Sequence, residues 1–269
     1  MKHPKPIAEP AAVKSATRVL DILDHLGRWG SDSTHAEISD RLGIPKSSMT
    51  HLLRTMTNRG YLRYDAETKR YSLGQAISDL SQNERFHGDL IQSAIRVLKV
   101  VTTETGESSA LNLLRGDKSE VVACIMSGHR LMYHMQLGDQ APLYATSGGK
   151  ALLAFLTPEQ QEHYYASVKI ESFTQNTITT LPDLRSEVAK VRLAGVARVT
   201  EEFTLGISGV ARPILDENGI AIASLNIAAP SFRLGSKEIK RAETVLENAV
   251  ADIREMIGIK RAREGLKYV

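Results

Sequence analysis

Between Ser15 and Arg28, the residues Ala16, Val19, Leu20, Leu23 and Leu26 recur at the three- and four-residue spacing of an amphipathic helix. After a polar break, WGSDS, Thr34 and Glu37 stand three apart in T-H-A-E, a capping box that opens a second helix through Ile38 and Leu42. Gly43 ends it. Ile44 then leads to Pro45, which suits the first turn of a third helix over Lys46 to Arg59, whose Met49, Leu52, Leu53 and Met56 share one face. Two short helices joined by a glycine-containing turn predict a helix-turn-helix. Past Gly60, the stretch YLRYDAETKRYSLG predicts two short strands, Tyr61 to Tyr64 and Arg70 to Leu73, around a polar tip at Asp65 to Lys69. A hairpin in that place is a wing.

The pattern changes downstream. Strand-like runs at Ser109 to Leu114, Glu120 to Met126, Arg130 to Met135, Ser208 to Leu215 and Ile220 to Ile227 alternate with helical stretches, as in an α/β or α+β domain. Two long helices frame it. Phe86, Leu90, Ala94, Val97 and Val101 give one apolar face to a linker helix, and Ile239, Ala242, Leu246, Ala249, Ile253 and Met256 give one to the last helix. That last face packs on its own sheet or on a coiled-coil partner, with its own sheet preferred.

A length of 269 residues is too great for one ordinary domain, so two domains are expected. With 42% hydrophobic and 24% charged residues the composition is that of a soluble globular protein. The opening stretch MKHPKPIAEPAAVK is broken by prolines and lacks an apolar core of signal-peptide length, so residues 1 to 12 read as a disordered cytoplasmic tail. The longest apolar candidate, GIAIASLNIAAP, is too short to span a membrane. Cys124, the single cysteine, excludes an intrachain disulfide and reads as a structural thiol in VVACIM. Net charge is +3, but residues 1 to 75 hold twelve Lys and Arg against eight Asp and Glu, so all of the excess lies in the first quarter.

That excess has a place to act. The polar face of the third helix carries Lys46, Ser47, Ser48, Thr50, His51 and Arg54, small polar and basic groups suited to phosphates and base edges in a major groove. Arg63, Lys69 and Arg70 put three cations on the wing, and Ser15, Arg18, Pro45 and Tyr71 complete the residues expected at DNA. A merely solvated helix face is the plainer alternative for the third helix alone.

The blocks SATRVLDIL, AEISDRLGIPKSSMTHLLRTMTNRGYL and YSLG, followed by PLYATSGGKALLAFL, LAGVARVTEEFTLGISGVARPILDENG and LNIAAPSFRL, resemble in order the IclR family of bacterial transcriptional regulators. The resemblance implies an α+β protein: a winged helix-turn-helix over 13–76, linker helices over 77–106, and a mixed α/β, GAF-like effector-binding domain over 107–265. It also implies a homodimer or tetramer on a palindromic double-stranded DNA operator, controlled by a small-molecule effector. No cofactor or metal is implied.

Ser147, Gly148 and Gly149 precede a helix expected over Lys150 to Leu156, where backbone N–H groups suit a carboxylate; a tight turn explains the glycines equally well. The spacing is not that of a P-loop, because Tyr144 and Ala151 occupy two of its required positions. By resemblance, Val199, Ile207, Gly209, Asn226 and Ala228 line the effector pocket. Alternation places Ile207 with Gly209 and Asn226 with Ala228, and puts Arg212 on the opposite face. Gly209 and Val199 stand where many relatives carry larger or more polar residues, which predicts a roomier, less polar pocket. A small organic acid, preferably aromatic, is therefore the expected effector, with Tyr133 as a ring or hydroxyl partner.

Two rivals compete with this reading. An enzyme would need a nucleophile elbow or an H-E-x-x-H motif, and neither is present around His129, His134 or His163. A constitutive DNA-binding protein would use its second domain only to oligomerise, which leaves the small inward residues Gly209 and Ala228 unexplained.

Overall fold

The computed structural model describes residues 13–29 and 32–259, so the tail expected over 1–12 and the end of the chain lie outside the described residues. Two compact units divide between Arg85 and Phe86. The first contains helices α1 (Lys14–Trp29), α2 (His35–Leu42) and α3 (Lys46–Asn58), with strands β1 (Ser33–Thr34), β2 (Leu62–Asp65) and β3 (Arg70–Leu73). Its core is Ile22, Leu26, Ile38, Ile44, Met49, Leu53, Met56 and Leu62. The stripe expected on α1 is rotated: Ile22 is fully buried while Leu20 is exposed, because the face toward α2 and β3 follows Val19, Ile22, Leu23 and Leu26.

Local chemistry sets these boundaries. Thr34 Oγ1 accepts from the Glu37 N–H and the Glu37 carboxylate accepts from the Thr34 N–H at 2.7 Å, closing the capping box. Gly43 adopts φ +61°, the left-handed conformation that ends α2 at low cost. Pro45 is the N-cap of α3 rather than part of its first turn, since its extended ψ of 136° turns the chain into the helix. The wing sheet has the order β1-β3-β2, all antiparallel, with Leu62 opposite Leu73 and Asp65 opposite Arg70.

A single helix, α4 (Gln75–Thr105), runs where linker helices are expected. The second unit then supplies β4 (Ser108–Arg115), β5 (Lys118–Ile125), β6 (Gln140–Pro142), α5 (Ser147–Ala154), α6 (Pro158–Ser167), α7 (Leu181–Ala194), β7 (Ala197–Thr200), β8 (Ile207–Leu215), β9 (Ala221–Pro230) and α8 (Ser236–Met256). The six strands form one antiparallel sheet in the order β6-β5-β4-β9-β8-β7.

Period-two alternation gives this sheet two different faces. Leu111, Leu113, Val210, Ile214, Leu225 and Ile227 face α4 and α8, burying Leu90, Ala94, Leu98 and Val101 of the one and Ala242, Leu246, Ala249 and Ile253 of the other. The last helix thus lies on its own sheet. Each fully buried aliphatic side chain in this layer stabilises the unit by about 1.5–3 kcal/mol. The opposite face receives α5, α6 and α7 over Ala197 and Ala211, and its middle carries Asn112, Ser224, Asn226, Gly209 and Ala228.

One expected strand is absent. Residues 130–135 form no ladder; Tyr133 and Met135 instead join Ala110, Val121 and Ala228 in a small cluster, so the apolar alternation of this segment serves a wall and not a sheet edge. No helix among the described residues is long and apolar enough to cross a membrane.

Candidate functional sites

In the first unit, α3 buries Met49, Leu53 and Met56 and turns its other side outward. Lys46, Ser47, Thr50, His51 and Arg54 are exposed and Ser48 is half-buried, so the six polar positions share one accessible face. Arg63 and Lys69 are exposed on the wing, Lys69 with φ +55° at its tip. The turn is held by Asp65 Oδ1, which accepts from the Glu67 N–H at 2.9 Å. Hydrogen bonds from the Thr68 side chain, first, and from the Glu67 and Thr68 N–H groups hold the Asp65 carboxyl below the ordinary carboxylate range, so the tip keeps its acid charged beside Arg63.

Two wing residues are committed internally. Arg70 donates to the Asp32 carbonyl at 2.5 Å and to the Glu37 carboxylate at 3.3 Å, tying β3 to the start of α2. Tyr71 packs against Tyr64 with ring centroids 4.8 Å apart and is half-buried. Both therefore brace the wing, and Arg70 still keeps 40% of its side-chain surface exposed. Ser15 is exposed and Arg18 half-buried on α1. His35, which sequence reasoning passed over, places its Nε2 2.9 Å from Thr50 Oγ1 on α3.

In the second unit a cavity of about 320 Å³ opens on the sheet face opposite α4 and α8. Tyr133, Ser147, Gly148, Val199, Ile207, Gly209, Asn226 and Ala228 all line it. Gly149 does not: a Cβ there would sit 2.6 Å from the Leu143 backbone, so this glycine permits α5 to press against the preceding chain. α5 itself begins at Ser147, earlier than expected, because Thr146 caps it by accepting from the Gly149 N–H at 3.1 Å. The N–H groups of Ser147 and Gly148 stand in its first turn, where no intrahelical acceptor exists.

Gly209 has a different role from the one its size suggested. A Cβ at Gly209 would lie 2.7 Å from Ser147 Oγ, so the bare backbone lets that hydroxyl approach the strand where both residues line the cavity. The polar centre lies on the neighbouring strands. Asn112 Nδ2 donates to Asn226 Oδ1 at 2.9 Å, and the Ser224 hydroxyl donates to the Gly148 carbonyl at 3.0 Å, joining sheet to helix. Val121, Met135, Val199, Phe203 and Ile207 supply apolar wall. Among the described residues Asp139 is the one charged residue in the lining, and no Lys, Arg or His contributes.

Behind the cavity, Lys150 is fully buried and donates to both carboxylate oxygens of Glu202 at 2.7 Å. Desolvation raises the Glu202 carboxyl above its ordinary value although the Lys150 ammonium pulls it down. Thr177 Oγ1 donates to the Glu202 carbonyl at 2.6 Å, so the pair fixes the loop that presents Phe203 and Thr204 to the cavity. A lysine within SGGKALLA gave no hint of this pairing.

Cys124 Sγ donates to the Met135 carbonyl at 3.4 Å, and burial raises its thiol pKa, which keeps it protonated. Arg212 lies on the other sheet face, donating to the Glu247 carboxylate at 2.9 Å. His163 lies on α6, apart in the fold from His129 and His134 on the loop after β5. Among the described residues no group of three His, Cys, Asp or Glu is arranged to hold a metal ion.

Comparisons with known proteins cover both units. Residues 15–66 match the IclR helix-turn-helix domain, and residues 86–255 match the bacterial transcriptional regulator IclR C-terminal domain. The HTH-type transcriptional regulator KdgR of Escherichia coli (strain K12) is 29% identical over 250 residues, 93% of this chain and 95% of that protein. The HTH-type transcriptional repressor AllR of the same strain is 24% identical over 256 residues, 94% of each chain. Among solved structures, the Thermotoga maritima IclR superposes with a TM-score of 0.61 at 25% identity, covering 92% of this chain and 100% of that one.

Proposed function

The chain belongs to the IclR family and is a DNA-binding transcriptional regulator, and from this premise we propose that a small carboxylic acid, bound in the cavity, sets its affinity for a palindromic operator. The observation that carries the proposal is the lining of that cavity. Ser147 is buried, its hydroxyl borders the cavity, and the Ser147 and Gly148 amides lie in the first turn of α5. A helix N-terminus carries partial positive charge, so a carboxylate can be held there without a cationic side chain. The Asn112–Asn226 pair offers hydrogen bonds to a second polar group.

The apolar wall favours a ring. Phe203, Tyr133, Met135, Val199 and Ile207 surround a volume near the lower end of the range for small-molecule pockets, about 300–1,000 Å³, which suits a single-ring acid. At DNA, Lys46, Ser47, Ser48, Thr50, His51 and Arg54 enter the major groove of each half-site of a homodimer, while Arg63 and Lys69 rest on the backbone. Calorimetric titration of the full chain with single-ring and short aliphatic carboxylates tests the ligand. Saturable one-site binding of a ring acid is expected; binding only of two- and three-carbon acids would overturn the aromatic assignment.

A further inference from the structure

Thr50 is exposed near the start of α3, in the part of a recognition helix that meets base edges. Its hydroxyl is nevertheless already engaged. Thr50 Oγ1 donates its only proton to the Lys46 carbonyl at 2.9 Å. It lies 2.9 Å from His35 Nε2, and with that proton on the Lys46 carbonyl the Nε2–H tautomer of His35 supplies the donor for this contact. The other ring nitrogen of His35 is then free to accept from Ser39 Oγ, 3.5 Å away, which is consistent with the same tautomer. His35 and the Lys46 carbonyl thus engage the hydroxyl within the protein, which leaves the Cγ2 methyl as the part of this exposed side chain without a polar partner.

We infer that Thr50 is a specificity-determining residue that reads a thymine by methyl-to-methyl contact, and that His35 is the positioning residue that holds it in this rotamer. A threonine with a free hydroxyl can hydrogen-bond several bases, whereas an oriented methyl selects the C5-methyl of thymine in the major groove. The inference rests on reading α3 as the groove helix.

The test begins by selecting duplexes that bind the full chain from a random-sequence pool, then replacing each thymine of the selected operator singly with deoxyuridine. One thymine in each half-site should lose about fourfold in affinity on losing its methyl, the factor that one buried methyl group is worth. That loss should vanish in Thr50→Ser, which keeps the hydroxyl and lacks the methyl, and persist in Thr50→Val. His35→Ala should weaken the discrimination without changing the dependence on salt. Thr50→Ser with undiminished thymine-over-uracil discrimination, or no methyl-sensitive thymine at all, would overturn the assignment while leaving DNA binding intact. Failure to enrich any duplex would instead overturn the groove-helix reading and this inference with it.

Discussion

Replacing Lys150 with methionine removes the ammonium and keeps most of its packing. Lys150 has no exposed side-chain surface, and its partner Glu202 retains 12%. Breaking a buried ion pair by deleting one partner costs about 3–5 kcal/mol, because the remaining charge stays buried without compensation. The two single substitutions should differ. Lys150→Met leaves Glu202 with some access to water and should cost about 3 kcal/mol, at the low end; Glu202→Gln strands a fully enclosed ammonium and should cost about 5. For a unit of this size 1 kcal/mol moves Tm by about 2–4 °C, so Lys150→Met should lower the melting of the second unit by roughly 6–12 °C. The penalty also depends on pH. Without Lys150, the contributions that lower the Glu202 carboxyl are lost and desolvation remains, so its folded pKa rises further above the ordinary 4.5. A carboxyl raised in the fold stabilises below its unfolded pKa and loses that contribution as pH climbs through the folded value. Lys150→Met should therefore regain stability relative to the parent as pH falls from 7 toward 5. Urea unfolding at both pH values measures this. Equal, sub-kcal/mol losses for both substitutions, or a Lys150→Met deficit independent of pH, would refute the reasoning.

Three further outcomes are expected. Gly149→Ala forces a Cβ to 2.6 Å from the Leu143 backbone and should cost about 1–3 kcal/mol by urea unfolding, the range for overpacking a filled site. Gly209→Ala displaces the Ser147 hydroxyl from 2.7 Å and should weaken acid binding in calorimetry while leaving operator affinity without acid unchanged. Lys46→Ala and Arg54→Ala should each flatten the slope of log affinity against log salt by about 0.9 for each phosphate no longer neutralised, with acid affinity unaltered; unchanged slopes would remove these side chains from the DNA surface.

Legibility in the sequence followed the range of the interactions. Thr34, Glu37 and Gly43 act within a few residues of each other, so the cap, turn and helix end could be read directly. The face assignments of Ile207 with Gly209 and Asn226 with Ala228 followed from alternation, which needs no knowledge of strand partners. What joins distant segments could not be read. The Asn112–Asn226 hydrogen bond depends on the register of β4 against β9, in which Asn112 lies opposite Ser224. Lys150 in an apolar helix carries no mark of Glu202, and β1, only two residues long, exists because β3 pairs with it. The internal contacts of Arg70 and Tyr71 could not be read either, because Asp32, Glu37 and Tyr64 are brought to them by the fold. The expected strand over residues 130–135 misled for a related reason: a cavity wall and a half-buried strand both call for alternate apolar side chains.

Filling the cavity should uncouple acid binding from operator binding. Ala228 is buried on β9 beside Gly209 and lines the cavity, so Ala228→Phe should occupy it while leaving every residue of α3 unchanged. Fluorescence anisotropy on the selected operator should show that the acid found by calorimetry changes the parent's affinity by roughly 5-fold or more, the lower bound of ordinary allosteric coupling. Ala228→Phe should bind the operator as tightly as the acid-free parent and show no change on adding acid. An undiminished response in Ala228→Phe, or an acid that binds the parent without altering its operator affinity, would contradict the assignment of this cavity as the control site.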